Sequence, residues 1–317
     1  MGRLFLENVL QRILSRGEIE GLDHTSIPRV LKPVRASVFA DRAARLKHLA
    51  QDHPAAPYLQ LMANVVQAQH QLLKSVLVPP APEERVSRAQ AHGMPPLQAL
   101  GWPRTEQWRA VLVGLLGHLQ ESGLPAPAQA VCSALQALAQ TDPDALEQMA
   151  DAVLAERDDL IDPAMAPFVA AALQVYWTSL ACDFPEDQLP VVTPMGVCPL
   201  CGSLPVASVV RVGGREEGCR YLCCSLCSTQ WHKVRVTCSH CDNTKDIAYH
   251  SIEGGPEGIK AESCDHCHTY RKIFYQEKDV HVDPVADDLA SIRLDVLMGE
   301  AGYLRSSGNP LLWQRGD

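Results

Sequence analysis

Eight cysteines of this 317-residue chain stand as four Cys-x-x-Cys pairs: Cys198/Cys201, Cys224/Cys227, Cys238/Cys241 and Cys264/Cys267. Each such turn sets two sulfurs on one side of a tight loop. Two turns facing each other close a tetrahedron of four thiolates, with bonds of ~2.3 Å for zinc. The pairs recur at an offset of 40 residues with no gap, and each copy spaces its first and third cysteines 26 positions apart. The same offset lays Gly214 on Gly254, Gly218 on Gly258, Arg220 on Lys260 and Thr229 on Thr269. A fixed period with matching ligand pairs marks a duplicated module. One metal site is therefore expected at Cys198, Cys201, Cys224 and Cys227, and a second at Cys238, Cys241, Cys264 and Cys267.

A rival pairing would let Cys224/Cys227 share a metal with Cys238/Cys241, but each gapless copy already contains a complete site. Cys219 and Cys223 face Ile259 and Ser263 in the second copy and read as non-ligands, although a one-residue slip would exchange Cys223 for Cys224. His240, His266 and His268 read as exposed knuckle residues beside filled thiolate sites. Spacing does not choose the metal. Zinc and a single iron both accept four thiolates in a tetrahedron, and the spacing by itself favours zinc because such structural sites are common.

The cysteines need a β scaffold. Pro199 fixes one backbone angle of the first turn and Gly202 permits a positive φ just after it. Val206 to Val212 reads as a strand, Gly213-Gly214 as a hairpin turn and Arg220 to Cys223 as the return. Gln230 to Thr237 alternates, with His232, Val234 and Val236 on one face. Ile247 to Ile252 and Tyr270 to Gln276 repeat the scheme. Trp231 reads as a packing residue beside the metal.

Before the modules, helical periodicity dominates. Phe39, Ala43, Leu46 and Ala50 share a face, as do Met62, Val65, Gln69, Leu72 and Val76, and then Val169, Leu173, Tyr176, Trp177 and Leu180. Thr105 reads as an N-cap, and Asp142-Pro143 and Asp162-Pro163 as caps followed by a first-turn proline. Six to eight helices are expected. Asp283-Pro284 opens a further helix, with Val285, Leu289, Ile292 and Val296 on one face and Asp287 and Asp288 read as a solvated first turn. The expected class is α+β and multidomain. An all-α domain at 1–185 and a proline-rich linker at 186–197 precede metal modules at 198–237 and 238–278. A C-terminal helix and a loosely held tail fill 279–317.

Composition narrows the function. The chain is 46% hydrophobic and 21% charged, as a packed globular protein is. Its net charge of −9 disfavours nucleic acid and anionic membranes. Residues 198–275 carry nine Lys/Arg against eight Asp/Glu, and eight thiolates around two dications turn that balance negative, against phosphate binding. No run is apolar enough to span a bilayer, so no membrane insertion is expected. Met1 to Leu14 lacks the continuous apolar core of an export signal, so a reducing cytoplasm is expected, where paired thiols mean metal more often than disulfide. There is no phosphate loop, nucleophile elbow or His-Glu-x-x-His motif, so neither catalytic nor small-molecule cofactor residues are assigned.

Several stretches together carry a family resemblance. Cys198-Pro199-Leu200-Cys201-Gly202-Ser203 and the run from Cys224 to Trp231-His232 resemble the formate dehydrogenase accessory protein family, often called FdhE. So do Ile259 to Cys264, Tyr275-Gln276-Glu277-Lys278-Asp279 and Ala286-Asp287-Asp288-Leu289-Ala290-Ser291, within a likeness running from about Phe39 to Leu312. The resemblance implies a cytoplasmic assembly factor, not itself an enzyme, that interacts with the catalytic subunit of formate dehydrogenase. It implies rubredoxin-like modules associated with iron, held by the same eight cysteines, and moves the preferred metal from zinc to iron. A stand-alone electron carrier or thiol oxidoreductase is the alternative, and a zinc-ribbon module for transcription a weaker one.

The repeat makes a direct prediction. Cys219→Ser and Cys223→Ser should retain both metals by elemental analysis, whereas Cys198→Ser or Cys238→Ser should lose one and open its module to proteolysis, because site formation and folding are coupled. Equal metal loss from Cys219→Ser would refute the pairing.

Overall fold

A computed structural model of the chain describes residues 4–7, 27–189 and 196–313. The expectations for Met1–Leu14, for the middle of the proline-rich linker and for the last four residues lie wholly or largely outside this range. The loosely held tail expected from Ser306 is instead packed where it is described: Ser307, Asn309 and Leu311 are buried, and the Tyr58 hydroxyl donates to the Leu311 carbonyl. Among the described residues seven α-helices come first: α1 (Val38–Leu49), α2 (Ala56–Ser75), α3 (Glu83–Ala91), α4 (Gln107–Glu121), α5 (Ala126–Thr141), α6 (Pro143–Leu154) and α7 (Ala166–Asp183). Helix α7 is the axis of the bundle. Its residues Ala166 to Ala181 are all buried, not only the stripe the sequence marks, because α2, α4 and α6 surround it. On α4, Gly114 lets Leu72 approach so closely that a Cβ there would lie 2.9 Å from its Cδ2.

Helix starts follow the sequence in part. Asp142 caps α6 by accepting from the Ala145 N–H. Asp162 accepts from the Ala164 N–H instead, in a turn ahead of α7, which begins only at Ala166 with Pro167 in its first turn. Thr105 is not a cap either: its hydroxyl lies 3.2 Å from the Tyr176 hydroxyl, a buried partner that the backbone of α4 does not match.

The β region forms one sheet. Its strands are β1 (Leu4–Glu7), β2 (Val30–Leu31), β3 (Pro205–Val210), β4 (Arg220–Cys224), β5 (Gln230–His232), β6 (Ile247–Ile252), β7 (Ile259–Cys264), β8 (Thr269–Tyr275) and β9 (Leu304–Arg305). Two antiparallel triplets, β3-β4-β5 and β6-β7-β8, are the two copies of the repeat. They merge because β8 pairs in parallel with β3, Ser208 opposite Ile273. Strand β2 covers the β5 edge, β1 covers the β6 edge, and β9 pairs with the start of β8. Gly213 and Gly214, at φ +83° and +64°, make the β3–β4 turn in the left-handed region open to glycine. Strand β5 is shorter than the alternation suggests. Val234 is exposed and Val236 sits at φ +56°, so the chain turns toward the next knuckle.

Buried ion pairs tie these elements together. Arg220 on β4 meets Glu262 on β7 at 2.7 Å, with side chains 0% and 3% exposed, and so ties one module to the other. After β8 the chain forms α8 (Pro284–Ala290) and α9 (Ile292–Glu300), not one continuous helix. Ser291 breaks it by donating its hydroxyl back to the Asp287 carbonyl. Val285 and Leu289 are buried as expected, but Val296 is exposed and Leu294 and Met298 take its place. Asp287 and Asp288 are 0% and 1% exposed, which overturns the solvated reading. Arg45 of α1 grips Asp287 through two hydrogen bonds of 2.9 and 2.6 Å. Asp288 meets Arg305 at 2.6 Å and Lys272 at 3.3 Å. One apolar core runs from Phe39 through Trp177 and Cys198 to Phe274 and Leu289, so helices, first module and α8 share it.

Burial would raise the Asp288 carboxyl, but the charges of Arg305 and Lys272 outweigh it and hold the group below the usual carboxylate range. A depressed carboxyl stabilises the fold above its unfolded value and loses that contribution as pH falls through the folded value. The urea midpoint should therefore fall between pH ~5 and ~2. Asp288→Asn should cost about 3 kcal/mol at neutral pH and make that acid slope shallower. An unchanged slope would show that Asp288 is not ionised in the fold.

Candidate metal centres

Each knuckle is built the same way. The N–H of the first cysteine bonds to the carbonyl five residues on: Cys198 to Ser203, Cys224 to Thr229 and Cys238 to Asn243, at 2.9, 2.9 and 2.8 Å. The residue after the second cysteine then turns left-handed: Gly202 at φ +77°, Ser228 at +59°, Asp242 at +60° and His268 at +53°. Only the first is a glycine, and it alone was legible as a turn signal. The other three accept backbone strain to aim their cysteines, a cost that the surrounding structure must hold in place.

The turns bring together the sulfurs expected from the repeat. Cys198, Cys201, Cys224 and Cys227 form one group and Cys238, Cys241, Cys264 and Cys267 the other, with the sulfurs of each within 4.8 Å of one another. Neither group contains a histidine, and His240, His266 and His268 are exposed. Cys223 and Cys219 stand outside both. Cys223 is buried on β4 beside Cys224, and Cys219 donates to the Glu217 carbonyl. Contacts across the first group are 3.5 Å (Cys198–Cys227) and 3.4 Å (Cys201–Cys224). Both corresponding contacts in the second are 3.7 Å. A tetrahedron with metal–sulfur bonds of ~2.3 Å has edges of ~3.8 Å, so the donor sets fit a four-coordinate, thiophilic cation.

Electrostatics favour the same occupant. Burial pushes the Cys198 and Cys224 thiols well up, while hydrogen bonds from the other three sulfurs outweigh burial and hold Cys201 well down. In the second group burial pushes Cys241 up to about 12. Against burial, the Thr269 hydroxyl and backbone help bring Cys267 to about 7. Four adjoining thiolates in an apolar site are costly unless a dication compensates them. The shell is also duplicated. Thr229 and Thr269, matched in the repeat, place their hydroxyls 3.1 Å from the sulfurs of Cys227 and Cys267. Backbone N–H groups of Leu226 and Cys227 point at Cys224, and those of His240 and Cys241 at Cys238, all at 3.4 Å.

The centres differ in cover. All four sulfur-bearing residues of the first are buried, whereas Cys241 and Cys267 of the second are half-buried. The helical region seals the first. Leu97 and Ala99 donate backbone N–H groups to the carbonyls of Leu200 and Cys201 at 2.9 and 2.8 Å, and Gln98 lies against Gly202 so closely that a Cβ would sit 2.5 Å from its Oε1. A buried amide relay adds to the seal. Gln69 donates to Gln174, and Gln174 donates to the Ser225 carbonyl at 2.6 Å. Gln98 and Gln174 were not singled out in the sequence. Their signal was a polar side chain inside an apolar stretch.

Chelator should therefore strip a fully loaded chain in two equal steps, the second centre first. The first centre should follow at least ~10-fold more slowly, since its sulfurs are reached only by local opening. Cys241→Ser should abolish the fast step and leave the slow one, as read by metal-release absorbance and intact mass. Release of both ions at one rate would contradict this.

Comparison with known proteins follows the same layout. Models of the FdhE family match in three blocks: the N-terminal model over residues 27–193, the central domain over 197–235 and the C-terminal domain over 236–312. A Pseudomonas aeruginosa "Protein FdhE homolog" is 41% identical over 312 residues, covering 96% of this chain and 99% of that one. A Cronobacter sakazakii homolog is 39% identical over 306 residues, covering 95% and 97%. "Protein FdhE" of Salmonella paratyphi B is 40% identical over 288 residues, covering 90% and 92%. The crystal structure of the FdhE protein from Pseudomonas aeruginosa superposes with a TM-score of 0.83 at 37% identity, covering 91% of this chain and all of that one. Matching in fold, in both cysteine modules and in sequence over nearly its whole length, the chain belongs to the FdhE family.

Proposed function

We propose that this protein is an accessory factor in the maturation of formate dehydrogenase, acting in the cytoplasm on the enzyme's catalytic subunit and not on formate. Membership of the FdhE family supports the role, and the pair of unequally covered four-sulfur centres is the observation that carries it. The eight cysteines are the metal ligands in this reading, and iron is the favoured ion. Iron in such a centre would supply a one-electron couple, its potential set by the hydrogen bonds to sulfur and by exposure. The chain's own part is to hold the sulfurs, to donate N–H and hydroxyl groups to them, and to keep water from the first set while leaving the second near the surface. In this reading residues 1–185 are the helical part, which lends β1 and β2 to the edges of the sheet, with 186–197 the linker, 198–237 and 238–278 the modules and 279–317 the C-terminal part.

Among the described residues no helix is long and apolar enough to cross a membrane. The large helical part favours docking over a stand-alone electron carrier, which needs only one module. A cell lacking this protein should make formate dehydrogenase subunits that are present but inactive. The tagged protein should retrieve the catalytic subunit, and anaerobically purified protein should show iron and thiolate-to-iron absorption. Full enzyme activity in the deletion strain would end the proposal. Zinc in both centres would leave the docking role and remove the redox one.

A further inference from the structure

A cavity of about 660 Å³ opens between α1, the β3–β4 face and the segment that leads from β8 into α8. That is within the ordinary range for ligand sites. Its walls hold unmet hydrogen-bonding groups of both signs. Arg42, 4% exposed, spends Nε on Asp283, yet its buried Nη1 has no acceptor. Gln230 presents a buried Oε1 with no donor. Such groups are costly to leave unmade, and native interiors keep few of them. Arg211 also lines the wall, and no carboxylate pairs with it among the described residues.

Three acids line this wall: Asp41 is exposed on α1, and the other two are matched. Asp283 belongs to Arg42, and Asp279 lies 2.7 Å from Arg45. That leaves the Arg211 guanidinium and Arg42 Nη1 seeking oxygen, and Gln230 Oε1 seeking an N–H. Leu31, Val34, Val38, Val209 and Val282 line the space between them. The floor includes Cys223 and the first-centre ligand Cys224. A ligand that offers carboxylate or carbonyl oxygens, N–H donors and small apolar side chains along one length is a peptide. We propose that this cavity binds an extended acidic segment of a partner protein, with oxygens on Arg42 and Arg211 and a backbone N–H on Gln230. The inference rests on the functional reading only for the identity of the partner.

Val280, 61% exposed at the cavity wall, gives the test. p-Benzoylphenylalanine placed at Val280 of the full-length protein, irradiated with the formate dehydrogenase catalytic subunit, should crosslink to one contiguous segment containing Asp or Glu. The same probe at Val113, exposed on α4, should not. Arg211→Glu should lower the crosslink yield by at least ~10-fold, as loss of a charge-assisted contact does, with an unchanged thermal melt, and Arg211→Lys should restore much of it. Crosslinking to residues 8–26 of the same chain would overturn the proposal, because the cavity would then be filled by its own chain. Retrieval of the subunit without a Val280 crosslink would overturn it too, while leaving the accessory role standing. Failure to retrieve the subunit at all would sink both.

Discussion

Sulfur-bearing side chains in apolar surroundings set the terms for the rest of this fold. Four thiolates placed within 4.8 Å of one another repel and lose hydration, so the arrangement is stable only around a cation that compensates them. Everything near each centre serves that closure: the left-handed residue after each second cysteine, the N–H groups aimed at Cys224 and Cys238, and the threonines beside Cys227 and Cys267. The two copies obey the same constraint with different neighbours, and this is why they differ in exposure.

Duplication did not produce two beads. The parallel pairing of β8 with β3 makes one sheet of both copies, and Arg220–Glu262 locks them with a charge pair that neither copy could complete alone. The repeat places Lys260 where the first copy has Arg220. That lysine stacks over the Tyr275 ring instead, so the buried partner evolved on one side only. On its other flank the first copy is sealed by Leu97 and Ala99 from the α3–α4 connection and by Gln174 from α7.

The sequence revealed most where a local rule sufficed. The Cys-x-x-Cys spacing predicted which sulfurs meet, because 26 and 40 are properties of the chain itself. Asp142 and Asp283 cap helices as read, since a cap needs only its own turn. The reading failed where a distant partner decides. Asp287 and Asp288 looked like a wet helix start because Arg45, Lys272 and Arg305 are remote in sequence. Thr105 lost its capping role to Tyr176, and the all-round burial of α7 cannot be told from a stripe without knowing what surrounds it.

The bonds from α1 to α8 join residues 241 and 242 positions apart. A ribosome adding roughly 5–20 residues per second makes Arg42 and Arg45 on the order of ten to fifty seconds before the carboxylates that neutralise them. During that interval the emerging helices carry two uncompensated guanidinium groups and, until β3 to β5 follow, an apolar α7 with no first module to cover it. The order of synthesis thus runs against the order of closure: the nascent chain can complete its shared core only after its final eighth has left the exit tunnel.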